Sequence, residues 1–283
     1  MLKTKQIVVI GSVTILMGLL LSLDIKGLVK PAERKGNTGT TEASGHEANQ
    51  VTVEMVSILA KQELKADLAQ QINTLEESLK TAPADAKLEL QKQLAKKWDD
   101  VNQPAPGAFY NEEIAKADKS YSSWLKAGDL FTSAYQNTQD TLIQIGLVQK
   151  AINAYQKALE LNSTSLDAQT GLGVAYISGT PNPMQGIQLL LAVVKQDPEN
   201  VKANMNLGLF SIKSGQYDKA VGRFKTVIAK KPDPEAWFYL ATSYESLKMK
   251  NEAIAAYEKC KELAADPNLT KFVDNKILEL RKN

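Results

Sequence analysis

Apolar residues recur along much of this chain at spacings of three and four, the period that gives a helix one buried stripe. Leu64, Leu68, Ile72, Leu75 and Leu79 make such a stripe and predict an amphipathic helical region over 51–87. Further along, a small residue stands four places before an aromatic three times over: Ala151 and Tyr155, Ala220 and Phe224, Ala253 and Tyr257. Four residues are about one helical turn, so each pair lies on one face of its helix. After Pro267, the residues Leu269, Phe272, Val273, Ile277 and Leu280 fall on one face and predict a final capping helix over 268–283, with Lys271, Lys276 and Arg281 turned to water.

The pattern at the N-terminus is different. After Lys3 and Lys5 comes an uncharged apolar run, Ile7 to Leu23, at the short end of what spans a bilayer as a helix. A cleaved signal peptide would end in a small-x-small site, and "LSLDIKGLVK" has none. The run therefore predicts a single-pass anchor. Basic residues flank it on both sides, and the brief Lys3/Lys5 tail favours a body outside the cytoplasm. The stretch that follows, Gly36 to Gln50, is polar and poor in apolar residues, which predicts a flexible tether containing the single histidine, His46.

Aligning the small-aromatic phrases gives a fuller unit. "NMNLGLFSIKSGQYDKAVGRFKTVIAKKP" and "WFYLATSYESLKMKNEAIAAYEKCKELAADP" each read as two helices with a period of 33 to 34 residues. Leu207, Gly208, Ala220, Phe224, Val227 and Pro232 carry the first; Trp237, Leu240, Ala241, Tyr244, Ala253, Tyr257 and Cys260 carry the second. This wording resembles the tetratricopeptide repeat. An earlier unit matches through Leu172, Gly173, Tyr176, Gly186, Leu190, Val193 and Pro198, and another through Trp124, Ala127, Gly128, Phe131, Ala151, Tyr155 and Ala158. The last holds about eleven residues more than the period, which predicts a lengthened first helix or a longer turn. A degenerate unit follows Leu88, with Leu94, Ala95, Trp98, Gly107 and Ile114 in place and Asn111 where an aromatic belongs, beside Tyr110.

The resemblance implies an all-α tetratricopeptide α-solenoid, a right-handed superhelix of helix pairs, here with an N-terminal transmembrane helix and an amphipathic helical segment. A helix pair cannot bury its own apolar face, so stacking is what makes such repeats stable. The expected organisation is a short basic tail (1–6), the membrane segment (7–23), a flexible linker (24–50) and the amphipathic region (51–87). A degenerate helix pair (88–120), a repeat with an insertion (121–165), three further repeats (166–200, 201–233, 234–267) and the capping helix (268–283) complete it.

Similar proteins hold a partner in a concave groove lined by the first helix of each pair. The matching positions here are Asp167, Thr170, Val174, Ile177 and Ser178, then Lys202, Met205, Leu209, Ile212 and Lys213, then Glu235, Phe238, Thr242 and Glu245. As a protein-binding surface the expected set is Val174, Ile177, Lys202, Met205, Leu209, Ile212, Phe238 and Thr242, a mostly apolar floor suited to an amphipathic helix or an apolar peptide. The same apolar residues could instead pack between helices. Of the basic clamp that one family subtype uses for C-terminal carboxylates, only Asn206 has a counterpart, so no such clamp is expected.

Composition narrows the function. Among 283 residues, 34 basic and 32 acidic ones give a net charge of +2 and are mixed along the chain, so no nucleic-acid footprint is visible. One cysteine and one histidine leave metal sites and Cys-His or Ser-His catalysis without support, and Cys260 falls at a small-residue core position. Phosphate loops, HExxH and GxSxG are absent, and "GLG" at 171–173 lies within a predicted helix. No cofactor, no catalytic residue and no metal is expected. The residues describe a non-enzymatic, membrane-anchored scaffold for a protein or peptide ligand, similar to anchored repeat proteins that assemble envelope complexes. The rival from the same residues is a self-associating structural membrane protein without a client, its homo-oligomer driven by the amphipathic region.

Overall fold

Capping residues set where the helices begin. Ser120, Asp140, Ser165, Asn200 and Asp233 each turn a side-chain oxygen onto the amides of the following turn, satisfying donors that have no partner inside a helix. The computed structural model describes residues 51–283 apart from 182 and 283. Among the described residues there are thirteen helices and no strand: α1 (Val53–Gln62), α2 (Ala66–Thr81), α3 (Ala84–Asp100), α4 (Pro104–Asp118), α5 (Tyr121–Asn137), α6 (Thr141–Leu161), α7 (Leu166–Gly179), α8 (Pro183–Gln196), α9 (Val201–Lys213), α10 (Tyr217–Lys230), α11 (Pro234–Ser246), α12 (Lys250–Leu263) and α13 (Pro267–Lys282). From α2 onward each helix packs on the next, as in a solenoid of helix pairs. The expected transmembrane segment, 7–23, lies outside the described residues, as do the tail and linker. No described helix is long and apolar enough to cross a membrane.

The small residues work by proximity. The ring of Tyr155, on α6, lies between Gly128 of α5 and Gly171 of α7: a Cβ on Gly128 would stand 2.7 Å from Tyr155 Cε1, and one on Gly171 would overlap the same ring. Glycine is what lets both helices close on a buried tyrosine. Gly186 does the same between α7 and α8, where a Cβ would strike the Gly173 carbonyl and lie 2.8 Å from Ile177 Cγ1. The apolar interior divides along the stack. One cluster joins Phe131, Tyr135, Leu147 and Tyr155; a second joins Val174, Leu190, Val193 and Leu207; a third joins Phe224, Leu240, Tyr257 and Val273.

Three expectations need correction. The stripe from Leu64 to Leu79 does not begin within a helix and the region holds more than one, because α1 ends at Gln62 with Glu63 as its cap, and Leu64 sits in the turn before α2. Doubling back lets Ile72, Leu75 and Leu79 pack on Leu94 and Trp98 of α3, while α1 lies on α4 and Lys61 pairs with Glu76 at 2.7 Å. That stripe is used inside the chain. The extra residues of the 121–165 unit go mainly into its second helix: α6 has 21 residues and α5 has 17, against 14 and 13 for α10 and α9. On α13, Val273 and Ile277 are buried but Phe272 is 49% exposed, so it does not share their buried face.

In the degenerate unit, α3 starts at Ala84 and packs on α4. Asn111 is buried there and donates to the Gly107 carbonyl at 2.8 Å. The aromatic place is filled by neighbouring Tyr110, whose hydroxyl reaches Glu76 at 3.4 Å.

Candidate functional site

The helix register defines one row of positions on α5, α7, α9, α11 and α13. Leu209 follows Gly208 as Asp129 follows Gly128, Val174 follows Gly173 and Thr242 follows Ala241, and Lys276 stands 34 residues after Thr242. One turn earlier the row reads Leu125, Thr170, Met205, Phe238 and Phe272. A lysine on α9 confirms that these helices face each other across the stack: Lys202 reaches Asp129 on α5 at 3.3 Å, past the intervening α7. Such a reach closes only on the inner side of a curved stack, and helices α5, α7, α9 and α11 touch in that order.

The structure divides the sequence-derived set. Met205, Leu209, Ile212 and Phe238 lie together, each partly exposed, on the α9/α11 part of this face. Thr242 joins them, its hydroxyl donating to the Phe238 carbonyl at 3.0 Å. Lys202 is exposed in its pair with Asp129. Val174 is not at the surface. It is 3% exposed among Leu190, Val193 and Leu207, because the Gly173–Gly186 contact draws α8 close to α7. Ile177 is half-buried against Gly186 in the same packing. Of the other positions at this register, Thr170 is buried, whereas Asp167, Ser178, Lys213 and Glu235 are exposed.

Residues that the sequence reading passed over complete the face. Phe272 of α13 lies 5.9 Å from Phe238 between ring centroids, and Phe238 lies 5.9 Å from Tyr257. The apolar strip therefore runs on from α9 through α11 to α13. At its ends the tyrosines of the second helices reach inward. Tyr155 donates to Asp129 Oδ1 at 2.8 Å, with the Thr132 hydroxyl 3.0 Å from its own. Tyr257 donates to Glu245 Oε2 at 2.8 Å, and Lys276 donates to Glu245 Oε1 at 3.2 Å. Burial first, then the adjacent carboxylates, hold both phenols protonated well above the ordinary tyrosine range. The two repeats between have Leu190 and Phe224 at this place, neither with a hydroxyl to donate. Counting two repeats back from Leu209 and one forward from Phe238 would have found Asp129 and Phe272.

A half-exposed apolar strip between two charged ends, on stacked helix pairs, defines a helical-repeat protein with an extended apolar surface on its inner helices. Tetratricopeptide-repeat models match residues 183–244 and, separately, 134–165 and 234–267, so the chain carries tetratricopeptide repeats. A tetratricopeptide repeat protein from Parabacteroides merdae shares the fold, with a TM-score of 0.54 and 18% identity over 81% of this chain and 87% of that one. A crystal structure of MamA aligns with 23% identity and a TM-score of 0.46 over 60% of this chain and 93% of its own. YrrB, described as a TPR protein with an unusual peptide-binding site, aligns with 15% identity and a TM-score of 0.45 over 71% and 97%. No curated protein matches the chain.

Proposed function

We propose that the chain is a non-catalytic docking scaffold that holds a segment of a partner protein against the inner helix face. The strip of Met205, Leu209, Ile212, Phe238 and Phe272 carries this reading, since five large apolar side chains left partly open on α9, α11 and α13 are what a partner's apolar stripe would cover. Residues 7–23 would anchor the scaffold in a membrane, with the repeats outside the cytoplasm, in the assembly of an envelope complex.

The test places a photo-crosslinking residue in the full chain at Leu209 or at Lys219, which is exposed on α10, in native membranes. Adducts from Leu209 that are lost on Met205→Glu, with none from Lys219, support the reading; equal adducts from both sites overturn it. Val174→Glu and Leu209→Glu separate floor from core. The first buries a carboxylate without a partner and lowers stability by about 3 kcal/mol or more, whereas the second leaves the melting temperature within a few degrees. Alkaline carbonate extraction tests the anchor, and protease access in intact cells tests its orientation.

A second reading, self-association, draws on a different surface. Met55, Ile58 and Leu59 lie exposed one turn apart on α1, and Leu142 and Ile145 lie exposed on the added turns of α6. Sedimentation of the detergent-solubilised full chain over a range of concentrations decides it, and a constant monomer mass excludes it.

A further inference from the structure

The two charged ends of the strip are built alike. A carboxylate on a first helix accepts from the phenol of a second-helix tyrosine and from a lysine of a later first helix: Tyr155, Asp129 and Lys202 at one end, Tyr257, Glu245 and Lys276 at the other. The members are not equally fixed. Each phenol belongs to a side chain wholly enclosed in the core, so it holds its carboxylate in one orientation whatever else is bound. Each lysine is a flexible stem ending in a hydrated point charge, half-exposed for Lys202 and part-exposed for Lys276, and it returns to water at little cost.

A cation arriving along the strip thus meets a carboxylate already oriented for it, exchanges with the lysine and strands no charge. An arriving anion would have to draw the lysines away and would then face the tyrosine-held carboxylates. The wider face has the same bias. At the inner register stand the carboxylates of Asp129, Asp167, Glu235, Glu245 and Glu279, against three lysines, Lys202, Lys213 and Lys276, in a chain whose net charge is +2. Between the ends the face is apolar, from Met205 to Phe272.

We propose, resting on the docking reading above, that the occupant is an amphipathic segment of a partner protein whose apolar stripe is flanked by lysine or arginine, and that its cations replace Lys202 and Lys276 on Asp129 and Glu245. The apolar side chains settle on Met205, Leu209, Phe238 and Phe272, and the two tyrosines act as positioning residues behind the carboxylates.

The test uses the full chain in phosphatidylcholine nanodiscs and two fluorescein-labelled helical peptides that share one leucine stripe, one ending in lysines and the other in glutamates. Fluorescence anisotropy is expected to show saturable binding of the lysine peptide, weakened at high salt, and at least tenfold weaker binding of the glutamate peptide. Asp129→Asn and Glu245→Gln each weaken the lysine peptide by about threefold to tenfold, the range of a partly exposed charged hydrogen bond. Lys202→Gln and Lys276→Gln have the opposite effect and strengthen it, because the competing cation is gone. A merely structural ion pair would not produce that gain. Tyr155→Phe and Tyr257→Phe leave the charges in place, pack as Phe224 already does, and weaken the lysine peptide less than the carboxylate variants do. Preference for the glutamate peptide, abolished by Met205→Glu, overturns the cation assignment and leaves the docking surface standing. If neither peptide shows binding sensitive to Met205→Glu, both the assignment and the docking surface fail.

Discussion

Replacing Gly171 with alanine adds one methyl group to the middle of α7, and on an open helix that change would be welcome. Alanine exceeds glycine in helix propensity by about 1 kcal/mol. Here the added carbon overlaps Cε1 and Cζ of Tyr155 and comes within 2.8 Å of its hydroxyl oxygen. Relief needs the ring to move by about an ångström, to reach an ordinary carbon contact of about 3.5 Å or more. The ring has nowhere to go: a Cβ on Gly128, at its other contact, would already stand 2.7 Å from it, and Tyr155 is fully enclosed. Overpacking of this kind costs about 1–3 kcal/mol, and the shift also disturbs the 2.8 Å bond to Asp129. We expect Gly171→Ala to destabilise the chain by about 2 kcal/mol after the propensity gain is counted. In a Tyr155→Leu background the clash is absent and the same substitution becomes neutral or stabilising by up to about 1 kcal/mol. Urea unfolding of the four proteins of this double-mutant cycle gives the coupling, expected at about 2–3 kcal/mol. A Gly171→Ala single variant as stable as the parent would refute the account of why α5 and α7 close on that ring.

Two further outcomes can be checked by unfolding measurements. Lys248 has a φ of 60° in the turn before α12, where the preceding repeat has Gly215 at 73°; Lys248→Gly relieves the left-handed strain and should stabilise by about 1 kcal/mol, read as a rise in melting temperature. The ionisations of Cys260, Tyr155 and Tyr257 are all pushed above their ordinary values of 9.0 and 10.0, by burial first. The unfolded chain therefore releases these protons before the folded chain does, so stability holds below about pH 9 and falls as pH rises beyond it. Tyr155→Phe with Tyr257→Phe flattens that fall, and unchanged pH dependence in the double variant would argue against burial as its cause.

The repeats were legible because packing rules wrote them. A glycine or alanine at 208 and 241 and an aromatic at 224 and 257 are demanded wherever two helices must close on a ring, so the period survives in a single sequence. The inner face was legible only by register, which says where a side chain starts but not what covers it. Val174 and Leu209 hold the same place in their repeats, yet one is enclosed and the other half-open. The difference comes from Gly186, which brings α8 onto α7, whereas the equivalent residue of the next unit is Ala220. Phe272 was hidden for another reason. Its spacing also suits the buried stripe of α13, and only the repeat register carried past Pro267 from Phe238 places it on the inner face. The tyrosine–carboxylate bonds join residues 26 and 12 positions apart, and no local pattern announces them.

The bond from Lys202 to Asp129 skips a whole repeat. In mechanical language it is a chord drawn across an arc, and its tension resists straightening of the row formed by α5, α7 and α9. A chord made of one solvent-exposed ion pair contributes about 1 kcal/mol or less and slackens as salt rises. Rising ionic strength therefore weakens this one restraint on the arc, and any cation that takes Asp129 for itself removes it.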